Sequence, residues 1–265
     1  PAVSLTEIFR QAEKSAIIRN AHAVNTGRPP ELKNTQNDFF FLCRRAPDRL
    51  VQTVVELCRQ RLPNNMGIPA EQIQVLSPTR KGVCGTVNLN RALQAALNPP
   101  AAGKRQKLWG DMVFREGDRV MQTRNNYDVV WEKDDGAMGA GIFNGDVGVI
   151  QEIDPSGELI TIQFDDRTCV YTADLLNQLD MAYAMTVHKA QGSEYRCVVL
   201  VSAAVAPALM VRGVLYTAIT RARELLVLVG DDVAPGQMAA NDRQQRRYSG
   251  LRRRLREEAA NHGME

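Results

Sequence analysis

Two short apolar runs constrain the fold of this chain most strongly: residues 198–201 (VVLV) and residues 225–229 (LLVLV). A run so short, with no polar residue, is typical of a strand that is buried on both faces of a parallel sheet. Between the runs, apolar residues recur at helical spacing and predict a helix with one buried stripe: Met210, Val211, Val214, Leu215, Ala218 and Ile219. Earlier in the chain, strand and helix patterns alternate at residues 38–42, 47–61, 73–76 and 87–97. We therefore predict an α/β fold in which crossover helices flank a parallel sheet.

Two further regions have their own patterns: the start of the chain and the region from about residue 113. A capping-box sequence at residues 4–7 (SLTE) predicts the start of a first helix, and Gly27 predicts its end. From about residue 113 the pattern changes to short strands at 119–122, 147–150, 159–162 and 168–171, separated by turns such as Asn144-Gly145. This pattern of short strands and turns predicts a small all-β barrel of the Src-homology type (SH3-like), inserted into the α/β domain and ending before Met181. Within it, residues 134–141 are so rich in glycine that we expect a mobile loop.

The stretch 185–194 (MTVHKAQGSE) carries hydroxyl, imidazole, ammonium and amide groups within a few positions. We expect it where a strand gives way to a helix, at the carboxyl edge of the sheet, which is where α/β proteins bind ligands. A polar loop with a helix cap is the plainer interpretation. The density of donors, and Gly192 as a point of close backbone approach, favour a functional site.

Two further segments suit anion binding. Thr220, Arg221 and Arg223 bring a hydroxyl and two guanidinium groups just before a core strand, a combination that suits phosphate recognition. For Arg223, interaction with the helix dipole is a sufficient explanation. The polar, basic loop 77–82 (SPTRKG) follows a predicted strand, so it also lies at the ligand-binding edge.

Bulk properties exclude several classes of protein. No apolar run approaches transmembrane length and no signal peptide opens the chain, so we expect no membrane association and a cytoplasmic location. The 5 cysteines are scattered and odd in number, which argues against a disulfide framework and against a metal site made of thiols. The net charge is +3, yet residues 243–256 alone hold seven arginines and no acid. The remainder is therefore net negative, and any nucleic-acid track on it must be built from individual donors.

Several ordered segments resemble the RecD-like superfamily 1 DNA helicases, the family of exodeoxyribonuclease V alpha subunits and their stand-alone relatives. TVHKAQGSE resembles helicase motif V, and LYTAITRARE resembles motif VI; LTEIFRQA, QVLSPTRKG, GDRVMQTRNNY and FNGDVGVI extend the match. The resemblance implies a RecA-like parallel sheet with flanking helices. It assigns residues 1–112 and 181–240 to motor domain 2A, residues 113–180 to an inserted domain 2B, and residues 241–265 to an arginine-rich tail.

The resemblance also implies residue roles. Catalytic arginine fingers would be Arg221 and Arg10. Nucleotide contacts would come from Gln191, Gly192 and Glu194 together with those two arginines. Single-stranded DNA would be held by Pro78, Thr79, Asn125, Asn126, Thr186 and His188.

The chain has no G-x-x-x-x-G-K-[ST] sequence and no strand ending in an Asp-Glu pair. The resemblance therefore implies the C-terminal motor half of an ATP-dependent 5′-to-3′ DNA helicase, with ATP and Mg²⁺ held mainly by a missing N-terminal RecA-like domain. We expect this chain alone to be inactive. Implied partners are single-stranded DNA, that N-terminal domain and, for a RecBCD-type parent, RecB- and RecC-type subunits.

Two other functions fit the same residues. One is the helicase portion of a conjugative relaxase, which has similar motifs. The other is a stand-alone module that binds single-stranded nucleic acid through the small barrel and the basic tail, with steep salt dependence.

Overall fold

The computed structural model of the chain describes residues 15–34, 38–203, 206–243 and 250–261. The α-helices in this part of the chain are α1 (Ala16–Asn25), α2 (Pro47–Glu56), α3 (Leu62–Met66), α4 (Thr86–Leu97), α5 (Arg212–Ile219), α6 (Ala234–Ala240) and α7 (Leu251–Asn261). A π turn occupies Leu57–Arg61, and 3₁₀ segments occupy Ala70–Gln72, Ala173–Gln178 and Pro207–Leu209.

The strands are β1 (Phe39–Cys43), β2 (Ile73–Ser77), β3 (Gln106–Trp109), β4 (Met112–Arg115), β5 (Arg119–Gln122), β6 (Asn126–Lys133), β7 (Met138–Ile142), β8 (Val147–Ile153), β9 (Leu159–Phe164), β10 (Arg167–Thr172), β11 (Leu179–Met181), β12 (Ala184–Thr186), β13 (Tyr195–Ser202) and β14 (Ala222–Gly230). They form a five-stranded sheet, a seven-stranded sheet and a separate hairpin of β3 and β4.

The five-stranded sheet confirms the predicted α/β fold. Its order is β1-β14-β13-β2-β12, and each pair of neighbours is parallel. Val199 and Val201 pack in the cluster that contains the inward residues of α2 and α4, whereas Val198 and Leu200 pack with those of α1 and α5. Because successive side chains of a strand point to opposite faces, both faces of β13 need apolar residues. That requirement explains the VVLV run.

The helices begin and end for identifiable reasons. The helical stretch predicted at 47–61 continues to Met66, interrupted by the π turn, in which the Leu62 amide bonds the Leu57 carbonyl. Pro63 has no amide hydrogen, so it cannot continue regular α-helical bonding, and the wider turn just before it accommodates the proline. Gly67, at φ +62°, then ends α3.

The first described helix, α1, begins at Ala16. Ser15 caps it, because its side chain accepts a hydrogen bond from the Ile18 amide at 3.4 Å. Gly27, at φ +83°, follows its end as predicted. The capping-box sequence at residues 4–7 lies outside the described residues.

Strands β5–β11, called the β domain below, form the antiparallel seven-stranded sheet in the order β11-β5-β8-β9-β10-β6-β7. Its core contains the fully buried side chains of Ile150, Ile162, Phe164 and Tyr171. All four strands predicted in this region are present, which confirms a small inserted all-β unit. The β3–β4 hairpin already begins at Gln106, and the exact domain boundaries stay predictions.

The prediction of a mobile loop at residues 134–141 is wrong. After a turn, the chain forms β7, which pairs with β6 so that Gly139 lies opposite Trp131. A Cβ atom on Gly139 would lie 2.3 Å from Cζ2 of the Trp131 ring. The glycine therefore makes room for the indole to pack across the hairpin, and the local composition reflects a close contact instead of disorder.

A buried carboxylate joins the β domain to the parallel sheet. Asp118, directly before β5, accepts hydrogen bonds from Gln94 Nε2 (2.6 Å), Asn98 Nδ2 (2.7 Å) and the Tyr183 hydroxyl (2.9 Å). Gln94 lies in α4 and Asn98 caps its end, while Tyr183 directly precedes β12. Burial raises the pKa of Asp118, and these donors oppose that rise. The network fixes the insert against the helix and strand that flank it.

Within the described residues, no helix is long and apolar enough to cross a membrane. The tail helix α7 leaves its two leucines, Leu251 and Leu255, exposed.

Candidate functional site

The predicted site residues lie at two opposite edges of the parallel sheet. Thr186 pairs with Ser77 at the carboxyl ends of β12 and β2. Tyr195 pairs with Ala222 where β13 and β14 begin. Glu194 and Arg221 directly precede those strands, so they lie at the amino edge. The expectation that the whole stretch 185–194 lies at the carboxyl edge is therefore wrong.

The linker 187–194 connects the two edges, and it does not form the predicted helix. It consists of successive turns in which the Ala190 amide bonds the Thr186 carbonyl and the Gln191 amide bonds the His188 carbonyl. Val187 and Ala190 are buried in the same cluster as α1 and α5. These two apolar anchors hold the linker against one face of the sheet while it runs between the edges.

At the amino edge, Arg221 holds the linker to the end of α5. Its Nη1 donates to the Ser193 carbonyl at 2.8 Å, and its Nε donates to the Thr217 carbonyl at 3.1 Å. Its Nη2 donates to the Thr220 hydroxyl at 3.2 Å. These bonds use three of the five N–H donors of a guanidinium. Donors on both terminal nitrogens are therefore left for an anion.

Gln191, Gly192 and Glu194, three of the predicted nucleotide contacts, flank Ser193, whose carbonyl accepts a hydrogen bond from Arg221. Gln191 and Glu194 are exposed, and Gly192 has φ +88°, a backbone conformation that favours glycine. Because Ser193 bonds Arg221 directly, the structure brings the residues predicted to contact nucleotide to one place. Arg10 lies outside the described residues.

At the carboxyl edge, the loop after β2 and the start of the linker lie side by side. The Val187 amide bonds the Ser77 carbonyl at 3.2 Å. Thr79 and Thr186 are half-buried and His188 is exposed, whereas Pro78 is buried. The hydroxyls and the imidazole are thus available to a ligand at this edge, while Pro78 serves mainly to shape the loop.

The two asparagines predicted to contact DNA, Asn125 and Asn126, both make internal hydrogen bonds, but they differ in exposure. The Asn126 amide donates to Gln178 Oε1 at 3.0 Å and its oxygen accepts from the Asp128 amide, so the side chain is occupied by internal bonds. Asn125 is exposed; its oxygen accepts from the Asn144 amide at 3.0 Å and its Nδ2 donates to the Tyr127 hydroxyl at 3.4 Å. Next to it, Tyr127 and Phe143 form an edge-to-face pair with centroids 5.7 Å apart.

That aromatic pair is an element of the site that sequence reasoning missed. Tyr127 is 66% exposed and Phe143 is 41% exposed. Exposed aromatic rings beside polar amides are typical of surfaces on which nucleobases stack. The signal was present in the sequence, where each aromatic residue adjoins an asparagine in the NNY and FNG segments.

A second missed feature is a set of charges at the carboxyl edge. Asp180 of β11 pairs with Lys189 of the linker and with Arg80 of the loop after β2. All three residues line a cleft of about 640 Å³ between α4, the β3–β4 hairpin and the strand ends, and Thr186 also lines it. No sequence spacing links Asp180 to Arg80, which lies 100 positions earlier.

The cysteines offer no metal site within the described residues, where no cluster of three or more His, Cys, Asp or Glu side chains is suited to a metal ion. Burial raises the pKa of both the Cys58 and Cys197 thiols to about 12. Such thiols stay protonated and inert at neutral pH.

Comparison with known proteins first defines the class. A family model described as an ATP-dependent RecD-like DNA helicase SH3 domain matches residues 89–164, and one described as a UvrD-like helicase C-terminal domain matches residues 181–229. The fold is similar to that in a crystal structure of the Pif1 helicase from Bacteroides in complex with ADP-AlF3 and ssDNA. The TM-score is 0.50 at 16% identity, over 99% of this chain and 57% of that chain. The α/β sheet with its small inserted β domain is thus that of a helicase motor domain.

Sequence relatives then define the family. The chain is 34% identical to the ATP-dependent RecD2 DNA helicase of Deinococcus radiodurans, over 97% of this chain and 32% of that protein. It is 31% identical to the RecBCD enzyme subunit RecD of Mycolicibacterium smegmatis, over 70% of this chain and 30% of that protein. The chain belongs to the RecD-like helicases and corresponds to a C-terminal region of them. It spans about a third of the length of these relatives.

Proposed function

We propose that this chain is the C-terminal motor half of an ATP-dependent 5′-to-3′ DNA helicase of the RecD type. The observation that carries the proposal is the linker 187–194. One short segment joins the candidate DNA contacts at the carboxyl edge to the candidate nucleotide contacts at the amino edge. A motor needs such a connection, because a change at the nucleotide must alter the grip on the strand.

In this proposal the domains follow the predicted boundaries. Residues 1–112 and 181–240 form motor domain 2A, residues 113–180 form domain 2B, and residues 241–265 form a basic tail. An N-terminal RecA-like domain supplies the phosphate cradle and the Mg²⁺ site, since this chain has no Walker sequence. RecB- and RecC-type subunits are partners only in a RecBCD-type parent, and the site of action is the cytoplasm.

Arg221 acts as the arginine finger. Charge builds up on the transferred phosphoryl group during hydrolysis, and a guanidinium that reaches its oxygens stabilises that charge. The three bonds to Ser193, Thr217 and Thr220 fix the direction of the side chain before nucleotide arrives. Gln191, Gly192 and Glu194 contact the nucleotide, and Arg10 assists.

The DNA track runs along the carboxyl edge and onto the β domain. Thr79, Thr186 and His188 hold the phosphodiester backbone, a kind of contact that positions a strand without reading its sequence. Asn125, together with Tyr127 and Phe143, offers an amide and two rings to the bases. The roles first assigned to Pro78 and Asn126 become supporting ones, since Pro78 is buried and Asn126 is less exposed than Asn125.

The test compares Arg221→Lys with Arg223→Lys in the full-length protein. Lysine keeps the charge but loses the planar fork that reaches two oxygens at once. We expect Arg221→Lys to lower the ATP turnover number at saturating single-stranded DNA by a factor on the order of 10³. Nucleotide affinity should change far less, because a finger acts mainly on the transition state.

Arg223→Lys is the matched control, since Arg223 lies two positions further on, exposed in β14. It should retain most of the turnover. Normal turnover by Arg221→Lys, or loss of turnover only through unfolding, contradicts the arginine-finger role.

A further inference from the structure

Asp180 holds two cations that come from different loops. Its Oδ2 lies 2.9 Å from Lys189 Nζ, and its Oδ1 lies 3.4 Å from Arg80 Nη2. Asp180 belongs to β11, which hydrogen bonds to β5 in the β domain. Lys189 belongs to the linker and Arg80 to the loop after β2. One carboxylate therefore connects three elements at the edge where the strand contacts are proposed.

A contribution to folding stability does not account for these ion pairs. The Lys189 and Asp180 side chains are 33% and 24% exposed, and that of Arg80 is 64% exposed. Ion pairs that solvent reaches contribute little to the free energy of folding, about 1 kcal/mol at most. They are also weak enough to exchange partners quickly. Two cations facing one carboxylate leave the group with net positive charge at the mouth of the cleft that Thr186 also lines.

The geometry fits a phosphate as well as a carboxylate. Both anions present oxygens that accept charge-assisted N–H bonds from a lysine and an arginine on two sides. The Lys189 amide also approaches the Thr186 hydroxyl oxygen at 3.4 Å, which ties the cation to a proposed strand contact.

We propose that Lys189 and Arg80 form a phosphate site for the backbone of single-stranded nucleic acid, and that Asp180 occupies this site until a phosphate displaces it. The inference rests on the proposed function, because the ligand is the strand that the motor follows. It adds a pair of contact residues and an internal competitor. Competition by Asp180 weakens the binding of each phosphate, so that the phosphodiester backbone can be released at every step of the motor.

The experiment measures binding of the full-length protein to labelled oligo(dT) over a range of salt concentrations. Asp180→Asn should tighten binding several-fold at low salt, because a phosphate then no longer has to displace a carboxylate from Lys189 and Arg80. The gain is limited because solvent already weakens these ion pairs. Lys189→Gln should weaken binding and lower the salt slope by about 0.7, the value for one lost phosphate contact on a single strand. The double variant should bind more tightly than Lys189→Gln but less tightly than Asp180→Asn, since removing Asp180 then frees Arg80 alone.

Glu158→Gln is the matched control. It removes one carboxylate from the ion pair between Glu158 of the β domain and Lys107 of β3, whose charged atoms are 3.3 Å apart. It therefore changes the net charge by the same amount without touching the proposed site. Asp180→Ser provides a second carboxylate-free variant, and thermal unfolding identifies any variant that fails to fold.

The outcomes separate the two proposals. Binding by Asp180→Asn and Asp180→Ser that is no tighter than that of Glu158→Gln overturns the inference, as does an unchanged salt slope in Lys189→Gln. A wild-type protein that does not bind oligo(dT) contradicts the proposed function itself.

Discussion

Arg221 and Asp180 are the two residues on whose contacts the functional proposals mainly depend. Arg221 holds the Ser193 carbonyl at the amino edge, and Asp180 holds the Lys189 ammonium at the carboxyl edge. Both Ser193 and Lys189 belong to the linker 187–194. Its two ends are thus each tied by a polar contact that a ligand phosphate could replace or extend.

His188 provides a prediction at the same scale. It is exposed two residues past the carboxyl end of β12, so we expect it to contact the phosphodiester backbone of single-stranded DNA. His188→Ala in the full-length protein should weaken binding a few-fold, and equally on mixed-sequence and homopolymer strands, because phosphate contacts carry no sequence information. The measurement is a binding titration with each strand. A loss confined to one base composition contradicts the backbone role.

His22→Ala is the control for that titration, because His22 is an exposed histidine of α1 on which the proposed track does not depend. It should bind each strand as the wild-type protein does.

Sequence reasoning could propose roles only for residues that stand in motif strings. The motif residues Thr186, Glu194 and Arg221 stand in recognisable strings, so their positions could be named in advance. Asp180 could not be found in this way, because its partner Arg80 is brought to it only by the pairing of β12 with β2 and of β11 with β5.

Among the elements, the β6–β7 hairpin shows how packing overrides composition. Gly139 and Gly141 made residues 134–141 look like a loop, but the Trp131 ring fills the space that side chains would have taken at Gly139. Periodicity cannot detect such a contact, because the signal is a missing side chain opposite a large one. The apolar strands β13 and β14 were predictable because their burial on two faces leaves a continuous apolar run.

Gly139→Ala tests the packing of this hairpin. The added methyl group collides with the indole, so we expect a loss of unfolding free energy of roughly 1–3 kcal/mol, the usual cost of overpacking. Chemical denaturation, with tryptophan emission as the probe, measures the change.

The control is Gly213→Ala, since a Cβ there meets no atom within 4 Å and Gly213 lies in α5, where alanine is favoured over glycine. It should be neutral or stabilising. Equal stability of the Gly139 and Gly213 variants would mean that Trp131 does not pack against the glycine.

At the scale of the whole molecule, two sheets meet around one buried carboxylate. Asp118 connects the β domain to α4 and to the segment before β12. Arg119 adds bonds to the Ile73 carbonyl and to Gln74 Oε1, both at 3.2 Å, at the start of β2 in the parallel sheet. The sequence indicated an insert, but the polar contacts that fix it involve residues far apart in the chain, so its attachment could not be predicted.

Under the proposed function, this chain alone is not a complete catalyst. It would carry the finger and part of the strand track, while the phosphate cradle and the magnesium site would belong to another domain. Without a Walker lysine and its metal, the phosphates of ATP are neither held nor neutralised.

The most direct test is the steady-state rate of ATP hydrolysis by the purified 265-residue chain and by the full-length protein, each with and without single-stranded DNA. We predict that DNA stimulates the full-length protein and that the chain alone shows no turnover above the background of its Arg221→Lys variant. DNA-stimulated turnover by the chain alone, abolished by Arg221→Lys, would contradict its assignment as one half of a two-domain motor.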